Sequence, residues 1–318
     1  MSRPRGFSFV LVLAVGAPTG CRPDTAPGTL PPLSLFGRTG MGPLEFNYPR
    51  AAAINSEGRL YIVDKAGRIQ ALTQSGEFVL GWRMPEIKIG KPTGLGIGPD
   101  SKVYAADTHY SRVLIFTPDG RRVGEFGTLG EGPGQFRLPT DVAVDPAGFI
   151  YVSEYGGNDR ISKFSPQHEY LFSFGGHEEG EAGLQRPQAL LIGPDGTIWV
   201  ADSCNHRICR FDAEGRLLDA FGRAGHAIGE LWFPYNIDLL SDGTLVVCEF
   251  GNNRVQRFDA SGRSLGTWGA AGRRPGQLAY PWALAVGRDD RVFIVDSGNN
   301  RVQVIAGTAG RTWYRPRD

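Results

Sequence analysis

Six acidic residues are each followed, four to six positions later, by an arginine. A carboxylate beside a guanidinium group can act in acid–base catalysis, or it can form a structural ion pair that also accepts N–H groups of a turn. The six pairs are Asp64–Arg68, Asp107–Arg112, Glu154–Arg160, Asp202–Arg207, Glu249–Arg254 and Asp296–Arg301. Because the same pair occurs six times, we interpret it as part of a repeated scaffold and not as a catalytic site.

A proline stands fifteen residues before each acid and marks the same repeat. The prolines are Pro49, Pro92, Pro139, Pro187, Pro234 and Pro281, at intervals of 43, 47, 48, 47 and 47 residues. Between them, short apolar runs alternate with turns rich in glycine, proline and aspartate, and no helix-length apolar period is present. Repeats of this length with four short strands are typical of propeller blades. The sequence therefore predicts an all-β, six-bladed β-propeller with four antiparallel strands per blade over residues 33–318.

Residues 33–37 have the pattern of a fourth strand but precede the first blade. We expect this strand to complete the last blade and so to close the ring. The alternative is that residues 311–314 complete the last blade. The composition agrees with many tight turns around a buried core, since 45 of 318 residues are glycine and 41% are hydrophobic.

The repeated motif reads GxGQF, a proline, an apolar strand, DPxG, a YV(A/S)(D/E) strand and NNR(V/I)QxF. It resembles the NHL repeat over residues 36 to about 306. The first copy departs from the motif, because the segment that ends at Arg68 has lost its asparagines. The second copy has residues 85–91 in place of the GxGQF loop. The resemblance implies a propeller that serves as a binding or scaffold protein.

Function is expected where the six copies differ. In a propeller, the loops before the first strands and the turns between the second and third strands surround one mouth of the central channel. Seven residues at these positions form the predicted ligand or partner site: Arg50, Asp141, Tyr155, Tyr235, Asn236, Phe250 and Trp282. Aromatic rings beside a few polar groups suit binding. The alternative is that the rings pack against neighbouring blades. We expect no catalytic residue, metal ligand or cofactor here.

The alternative function is a metal-dependent propeller enzyme, either a lyase or a lactonase-like hydrolase. Amidating lyases with similar blades hold zinc on histidines at the channel mouth, and none of the six residues that follow the prolines here is histidine. Lactonase-type propellers use a Glu/Asn/Asp set, of which Asp141 and Asn236 could supply part. His109 and His206 with a third residue remain an alternative metal site. We therefore favour a binding module over an enzyme.

The first 21 residues resemble a bacterial secretory signal. Arg3 and Arg5 precede an apolar run at residues 7–17, which is too short to span a membrane as a mature helix. Small residues then lead to Cys21, as in bacterial lipoproteins, although Pro18 stands where that family usually has leucine. We predict export, lipidation of Cys21 and anchoring in the cell envelope. Ordinary cleavage without lipidation is the alternative.

Residues 22–32 contain four prolines and are predicted to be an extended tether. Removal of the signal would leave 32 basic and 33 acidic residues, a balance that argues against nucleic-acid binding. Three cysteines would remain, Cys204, Cys209 and Cys248, without zinc spacing, and a bridge to Cys248 stays open. We expect a monomer whose partner is an envelope protein or a small ligand, with the lipid anchor as its membrane contact.

Overall fold

The computed structural model describes residues 30–308 and 312–314, in which 28 strands are found. In chain order these are β1 (Ser34–Phe36), β2 (Arg38–Thr39), β3 (Glu45–Phe46), β4 (Pro49–Ile54), β5 (Leu60–Asp64), β6 (Arg68–Leu72), β7 (Phe78–Arg83), β8 (Gly94–Ile97), β9 (Val103–Asp107), β10 (Arg112–Phe116), β11 (Arg122–Phe126), β12 (Thr128–Leu129), β13 (Gln135–Phe136) and β14 (Leu138–Val144). They continue with β15 (Ile150–Tyr155), β16 (Arg160–Phe164), β17 (Tyr170–Phe174), β18 (Pro187–Ile192), β19 (Ile198–Asp202), β20 (Arg207–Phe211), β21 (Leu217–Phe221), β22 (Pro234–Leu239), β23 (Leu245–Glu249), β24 (Arg254–Phe258), β25 (Ser264–Trp268), β26 (Ala283–Val286), β27 (Arg291–Asp296) and β28 (Arg301–Ala306). Short 3₁₀ turns cover Thr108–Tyr110, Gly180–Ala182, Ser203–Asn205 and Ser297–Asn299. The predicted signal with Cys21 and residues 22–29 lie outside the described residues.

The strands form six four-stranded antiparallel sheets, which confirms the predicted blades. Blade 1 is β4–β7, blade 2 is β8–β11, blade 3 is β14–β17, blade 4 is β18–β21, blade 5 is β22–β25, and blade 6 is β26–β28 with β1. The first strand of each blade packs beside the first strands of both neighbouring blades, so the six first strands form a closed ring around a channel. The pairs β2–β3 and β12–β13 are small parallel ribbons in the loops before blades 1 and 3.

The N-terminal strand closes the ring, as the sequence predicted. Strand β1 pairs antiparallel with β28, and Ser34 lies opposite Val304. Tyr314, in the alternative segment 311–314, instead exchanges two backbone hydrogen bonds, of 3.0 and 2.8 Å, with Thr267 on the outer strand of blade 5. The last blade is therefore built from both ends of the propeller.

The core lies between the blades and not within any one of them. Leu60 and Ile62 of blade 1, for example, share one apolar cluster with Phe293 and Val295 of blade 6. Both faces of a blade are covered by its neighbours, so the second strands are continuous apolar runs rather than alternating ones. A single blade could not bury both of its faces, and the ring is the unit of stability.

Five of the six acid–arginine pairs anchor the loop that enters their blade. The two side chains of each pair are 2.5–3.0 Å apart. In blade 5, Glu249 also accepts the backbone N–H of Trp232 at 3.0 Å, and Arg254 donates to the carbonyls of Ala227 and Glu230 at 2.9 and 2.8 Å. The carboxylate and the guanidinium group thus hold both sides of the loop that enters the blade, which confirms the structural interpretation.

Blade 2 shows what happens when this loop is missing. Residues 85–91 replace it, and Oδ1 of Asp107 is buried without a hydrogen-bond partner. Burial raises the pKa of Asp107 to about 6, although Arg112 lies 3.0 Å away and opposes the shift. Arg112 also binds Glu86 of the replacing segment at 2.8 Å. Where the GxGQF loop is replaced, the repeated acid therefore lacks the loop N–H group that pairs with it in the other blades.

Candidate functional site

Three of the predicted aromatic residues form one cluster at the channel mouth. Tyr235, at the start of β22, stacks on Phe250, which follows β23, with ring centroids 4.4 Å apart and planes at 19°. Trp282, just before β26, stands edge-on to both rings at 5.0 and 5.6 Å. Neighbouring blades 5 and 6 thus supply a continuous aromatic surface.

Two tyrosines that the sequence analysis did not select extend this surface. Tyr48 lies edge-on to Trp282 at 5.8 Å, and Tyr280 lies 5.3 Å from Phe250. We call Tyr48, Tyr235, Phe250, Tyr280 and Trp282 the aromatic cluster. Tyr235 is 6% exposed and forms its floor, whereas Tyr280 is 54% exposed and forms its rim.

Two arginines lie on the rings of this region. The guanidinium carbon of Arg50 is 4.9 Å from the centroid of Trp282, and that of Arg186 is 4.9 Å from Tyr155 and 5.8 Å from Tyr235. Arg186 therefore connects Tyr155 of blade 3 to the aromatic cluster. Burial lowers the pKa of Arg50, whose guanidinium group nevertheless gains from the ring faces around it.

An unusual backbone conformation positions the newly found residues. Each stands directly before a repeat proline and has positive φ, with values of 51° for Tyr48, 54° for Arg186 and 49° for Tyr280. Side chains of the preceding blade accept their backbone N–H groups: Asn300 for Tyr48 at 2.6 Å, Asp159 for Arg186 at 3.1 Å and Asn253 for Tyr280 at 2.7 Å. Phe233, before the proline of blade 5, has the same conformation, with its N–H accepted by His206 of the preceding blade, so the repeat itself sets this geometry.

Buried polar atoms without a partner are concentrated at this mouth. Of nine such side-chain atoms in the described part of the chain, five belong to mouth residues: Arg50 Nε, Arg186 Nε, Gln188 Oε1, Ser203 Oγ and Trp282 Nε1. At the corresponding positions of blades 2 and 3, Thr93 and Thr140 donate their hydroxyls to carbonyls of the next blade at 3.0 and 2.6 Å. Since buried polar groups are normally paired, blades 1, 4 and 6 carry hydrogen-bonding capacity at the mouth that the fold leaves unused.

Asp141 and Asn236 lie on the channel wall and not in the aromatic cluster. Oδ2 of Asp141 accepts the N–H of Leu190 at 3.0 Å, and Oδ1 of Asn236 accepts the N–H of Leu284 at 3.1 Å. Both line an open cavity of about 300 Å³ that is surrounded by residues of the six first strands. Asp141 and Asn236 thus each join the first strands of two adjacent blades by a hydrogen bond, which is a structural role.

The carboxyl of Asp141 is the most perturbed group of the channel. Burial raises its pKa to about 7, against the two backbone N–H groups that favour the charged form. Asp238, which the sequence analysis did not select, accepts the N–H of Val286 at 2.7 Å, and burial raises its pKa to about 6. Both carboxyls therefore become charged only as the pH approaches neutrality.

Replacing Asp141 by asparagine is expected to stabilise the protein at about pH 8 and to change its stability least at about pH 4. Because burial favours the neutral carboxyl, Asp141 contributes its full stabilisation at pH values below the pKa of an aspartate in the unfolded chain. This stabilisation is lost as the pH rises through the pKa of about 7 in the folded protein. Asparagine keeps an oxygen for Leu190 without the charge, so we expect a gain on the order of 2 kcal/mol in the free energy of unfolding. Urea denaturation at both pH values, with the exposed Glu178→Gln as control, measures it. An equal change at both pH values would contradict the prediction.

The histidines of the alternative metal site, His109 and His206, accept backbone hydrogen bonds in the structure. In residues 30–308 and 312–314, no three His, Cys, Asp or Glu side chains are grouped so that they could hold a metal ion. Nδ1 of His206 accepts the N–H of Phe233 at 3.0 Å, and Nδ1 of His109 accepts that of Lys91 at 3.3 Å.

Cys204, Cys209 and Cys248 are free thiols, so the disulfide bond to Cys248 that the sequence left open is not formed. No helix in the described residues is long and apolar enough to cross a membrane.

Comparisons with known proteins agree with the repeat. The NHL repeat family model matches residues 184–211 and 278–305. Human NHL repeat-containing protein 3 is 30% identical over 149 residues, which cover 45% of this chain and 42% of the human protein. Rat peptidylglycine alpha-amidating monooxygenase is 32% identical over 107 residues, which cover 32% of this chain and 11% of the rat protein. The chain thus spans less than half the length of either relative.

Solved structures agree with the architecture. A streptogramin B lyase superimposes with a TM-score of 0.61 at 16% identity, over 85% of this chain and 96% of the lyase. At this identity the similarity shows the fold alone. The six repeats, the six sheets and the matches to the repeat model together support an NHL-repeat β-propeller.

Proposed function

We propose that the protein is a binding module whose site is the aromatic cluster with Arg50 and Arg186 at the channel mouth. The observation that carries the proposal is the group of five unpaired polar atoms beside stacked rings. Tyrosine, tryptophan and arginine supply most of the energy in known binding sites. Buried donors that lack a partner gain most when a ligand supplies one. We place binding ahead of a metal-dependent lyase or hydrolase, because the distinctive groups here are rings and guanidinium groups.

The proposal is supported by the difference between repeated and unrepeated residues. The features that occur in all six blades, the prolines and the acid–arginine pairs, have structural tasks. The mouth differs from blade to blade, with threonines that join blades on one side and arginine, tyrosine and tryptophan on the other. A scaffold alone would not need this asymmetry.

The test is recovery of a partner by immobilised protein from cell-envelope extract and from its small-molecule fraction. Wild type is compared with Tyr280→Ala and with Tyr235→Ala/Trp282→Ala. Tyr280 is the more exposed ring, so its removal is expected to leave the fold intact and still weaken recovery. Phe78→Ala, at a 38% exposed ring on the outer strand of blade 1, is the matched control.

A partner that is retained by wild type and Phe78→Ala, and lost by the mouth variants, supports the proposal. Circular dichroism of each variant shows whether the propeller is retained. Recovery of the same molecules by wild type and both folded mouth variants would place binding elsewhere and overturn the proposal.

We further propose that the chain is exported and held in the cell envelope by a lipid on Cys21. The support is the charge of Arg3 and Arg5, the apolar run at residues 7–17 and the small residues before the cysteine. Expression of the whole chain in a bacterial host, followed by detergent phase partition, tests it. Wild type is expected in the detergent phase and Cys21→Ser in the aqueous phase. Equal partition of the two would overturn lipidation.

A further inference from the structure

We propose that the mouth binds an anionic group, a carboxylate or a phosphate, carried on a flat apolar body, and that Arg50 and Arg186 hold the anion. The inference rests on the proposed function and names the ligand class of the same site. Four features of the mouth carry it: unpaired charge, convergence of the two arginines, a rigid setting and the flat walls around them.

Arg50 and Arg186 are the arginines of the mouth that the fold leaves without a counter-ion. The six repeated arginines each pair with an acid. No carboxylate in the described residues forms an ion pair with Arg50 or Arg186, although both are half-buried. Asp159 accepts the backbone N–H groups of Arg186 and Gly156 and makes no hydrogen bond with the guanidinium group of Arg186. A partly buried charge without a counter-ion is partly desolvated, and an anionic ligand would offset that cost.

The two positive charges converge on the same rings. Burial raises the pKa of Tyr235, and the charges of Arg186 and Arg50 both oppose this rise. Arg50 also interacts electrostatically with Tyr155, whose ring lies under Arg186. In the geometry, Arg186 lies on Tyr155 and Tyr235, and Arg50 lies on Trp282, whose ring centroid is 5.0 Å from that of Tyr235. The arginines of blades 1 and 4 therefore lie on adjoining rings of the mouth.

The setting of these donors is rigid. Arg186 has a left-handed backbone that Asp159 fixes, and its guanidinium group lies on Tyr155. The guanidinium group of Arg50 lies on Trp282. Nε of each arginine is unpaired, and Nε1 of Trp282 is a third free donor. A guanidinium fork held on a ring face binds carboxylate or phosphate oxygens in pairs with little loss of side-chain entropy.

The aromatic rings around the arginines indicate which kind of body should carry the anionic group. Phe250 and Trp282 are partly exposed and Tyr280 is 54% exposed, and these rings adjoin the arginines above the buried Tyr235. A flat apolar body can stack there while its anionic end reaches the guanidinium groups. A fully hydrated inorganic ion would use the charge and leave the rings unused.

The test measures binding of four probes to the purified protein by isothermal titration calorimetry and by quenching of tryptophan fluorescence. Phenylacetate and phenyl phosphate carry the two anionic groups on a phenyl ring, phenethyl alcohol is the neutral analogue, and inorganic phosphate lacks the ring. We expect phenylacetate or phenyl phosphate to bind at millimolar concentration or better, and at least roughly tenfold more tightly than phenethyl alcohol. Their relative affinity distinguishes a carboxylate from a phosphate ligand.

Variants test the role of each arginine. Arg50→Gln and Arg186→Gln are each expected to weaken binding of the anionic probe roughly tenfold, and Arg50→Lys less, because lysine keeps the charge without the fork. Arg288→Gln, at an exposed arginine of blade 6, is the matched control and is expected to bind as wild type does. Circular dichroism verifies that each variant is folded.

Two outcomes would overturn the inference. One is no binding of either anionic phenyl probe. The other is equal affinity for the anionic and neutral probes with no effect of the Arg→Gln variants. In both cases the proposed function would stand if Tyr280→Ala still abolished recovery of a partner, so the two proposals can fail separately.

Discussion

A chain that begins at residue 38 is expected to lose the propeller fold, whereas a chain that begins at residue 30 is expected to keep it. The shorter chain lacks β1, which is the outer strand of blade 6 and pairs with β28. It also lacks Phe36, which packs against the apolar cluster shared by blades 1 and 6. The edge of β28 would be open, and an open apolar edge favours aggregation. Blade 6 would be left with three strands and the ring without its closure.

Size-exclusion chromatography and near-ultraviolet circular dichroism of the two chains measure this effect. The chain that begins at residue 30 retains the hydrogen bond from the Nε1 of Trp268 to the carbonyl of Leu30, at 3.0 Å, and serves as the control. We expect a monomeric, folded control and an aggregated or unfolded shorter chain. A folded, monomeric shorter chain would show that blades 1 to 5 hold the ring without the N-terminal strand.

The fold was predictable because the same landmarks occur six times. A proline and an acid at constant spacing, with an arginine four to six residues later, identify four-stranded blades even where the rest of a copy has changed. The tasks of Glu249 and Arg254 follow from their places on either side of one turn. Closure by β1 was predictable for a related reason. Residues 33–37 have a strand pattern but precede the first blade, so they were expected to supply the fourth strand of the last blade.

The candidate site was predictable in part. Tyr235, Phe250 and Trp282 directly follow repeat landmarks, and the structure brings them together. Tyr48 and Arg186 were missed because they stand one residue before the prolines, where a left-handed backbone directs them to the mouth. That conformation depends on contacts between blades, such as the one between Tyr48 and Asn300, which are far apart in sequence. Comparison of the six residues before the prolines would have been the available signal.

Two residues that the sequence analysis placed in the site, Asp141 and Asn236, do not belong to the aromatic cluster. Asp141 and Asn236 were selected with the rings because they are polar and close to the mouth in sequence. The first strands of a propeller have one edge that faces the channel, and the N–H groups of Leu190 and Leu284 on that edge need acceptors. Whether a polar residue there meets a ligand or the next blade depends on the register between blades, which no local pattern specifies.

Replacing Glu249 by alanine is expected to lower the free energy of unfolding by about 3–5 kcal/mol, because it removes one partner of a buried ion pair. Glu249 is fully buried. Its two oxygens accept hydrogen bonds of 2.6–3.4 Å from a ring of donors: the backbone N–H of Trp232 and the side chains of Asn252, Arg254 and Gln256. Alanine would leave the N–H of Trp232 without its acceptor and Arg254 without its counter-ion, with only backbone carbonyls left as partners of the Arg254 side chain.

Asp219→Ala is the matched control for this prediction, because its partner Arg210 belongs to a more exposed pair. Exposed pairs contribute at most about 1 kcal/mol, so we expect a small loss. Urea denaturation at neutral pH measures both variants. Because the loop that Glu249 holds leads through Trp232 and Phe233 into Tyr235, the same change should also disorder one wall of the mouth and weaken binding there. Equal losses for Glu249→Ala and Asp219→Ala would show that the repeated acid does not anchor the blades.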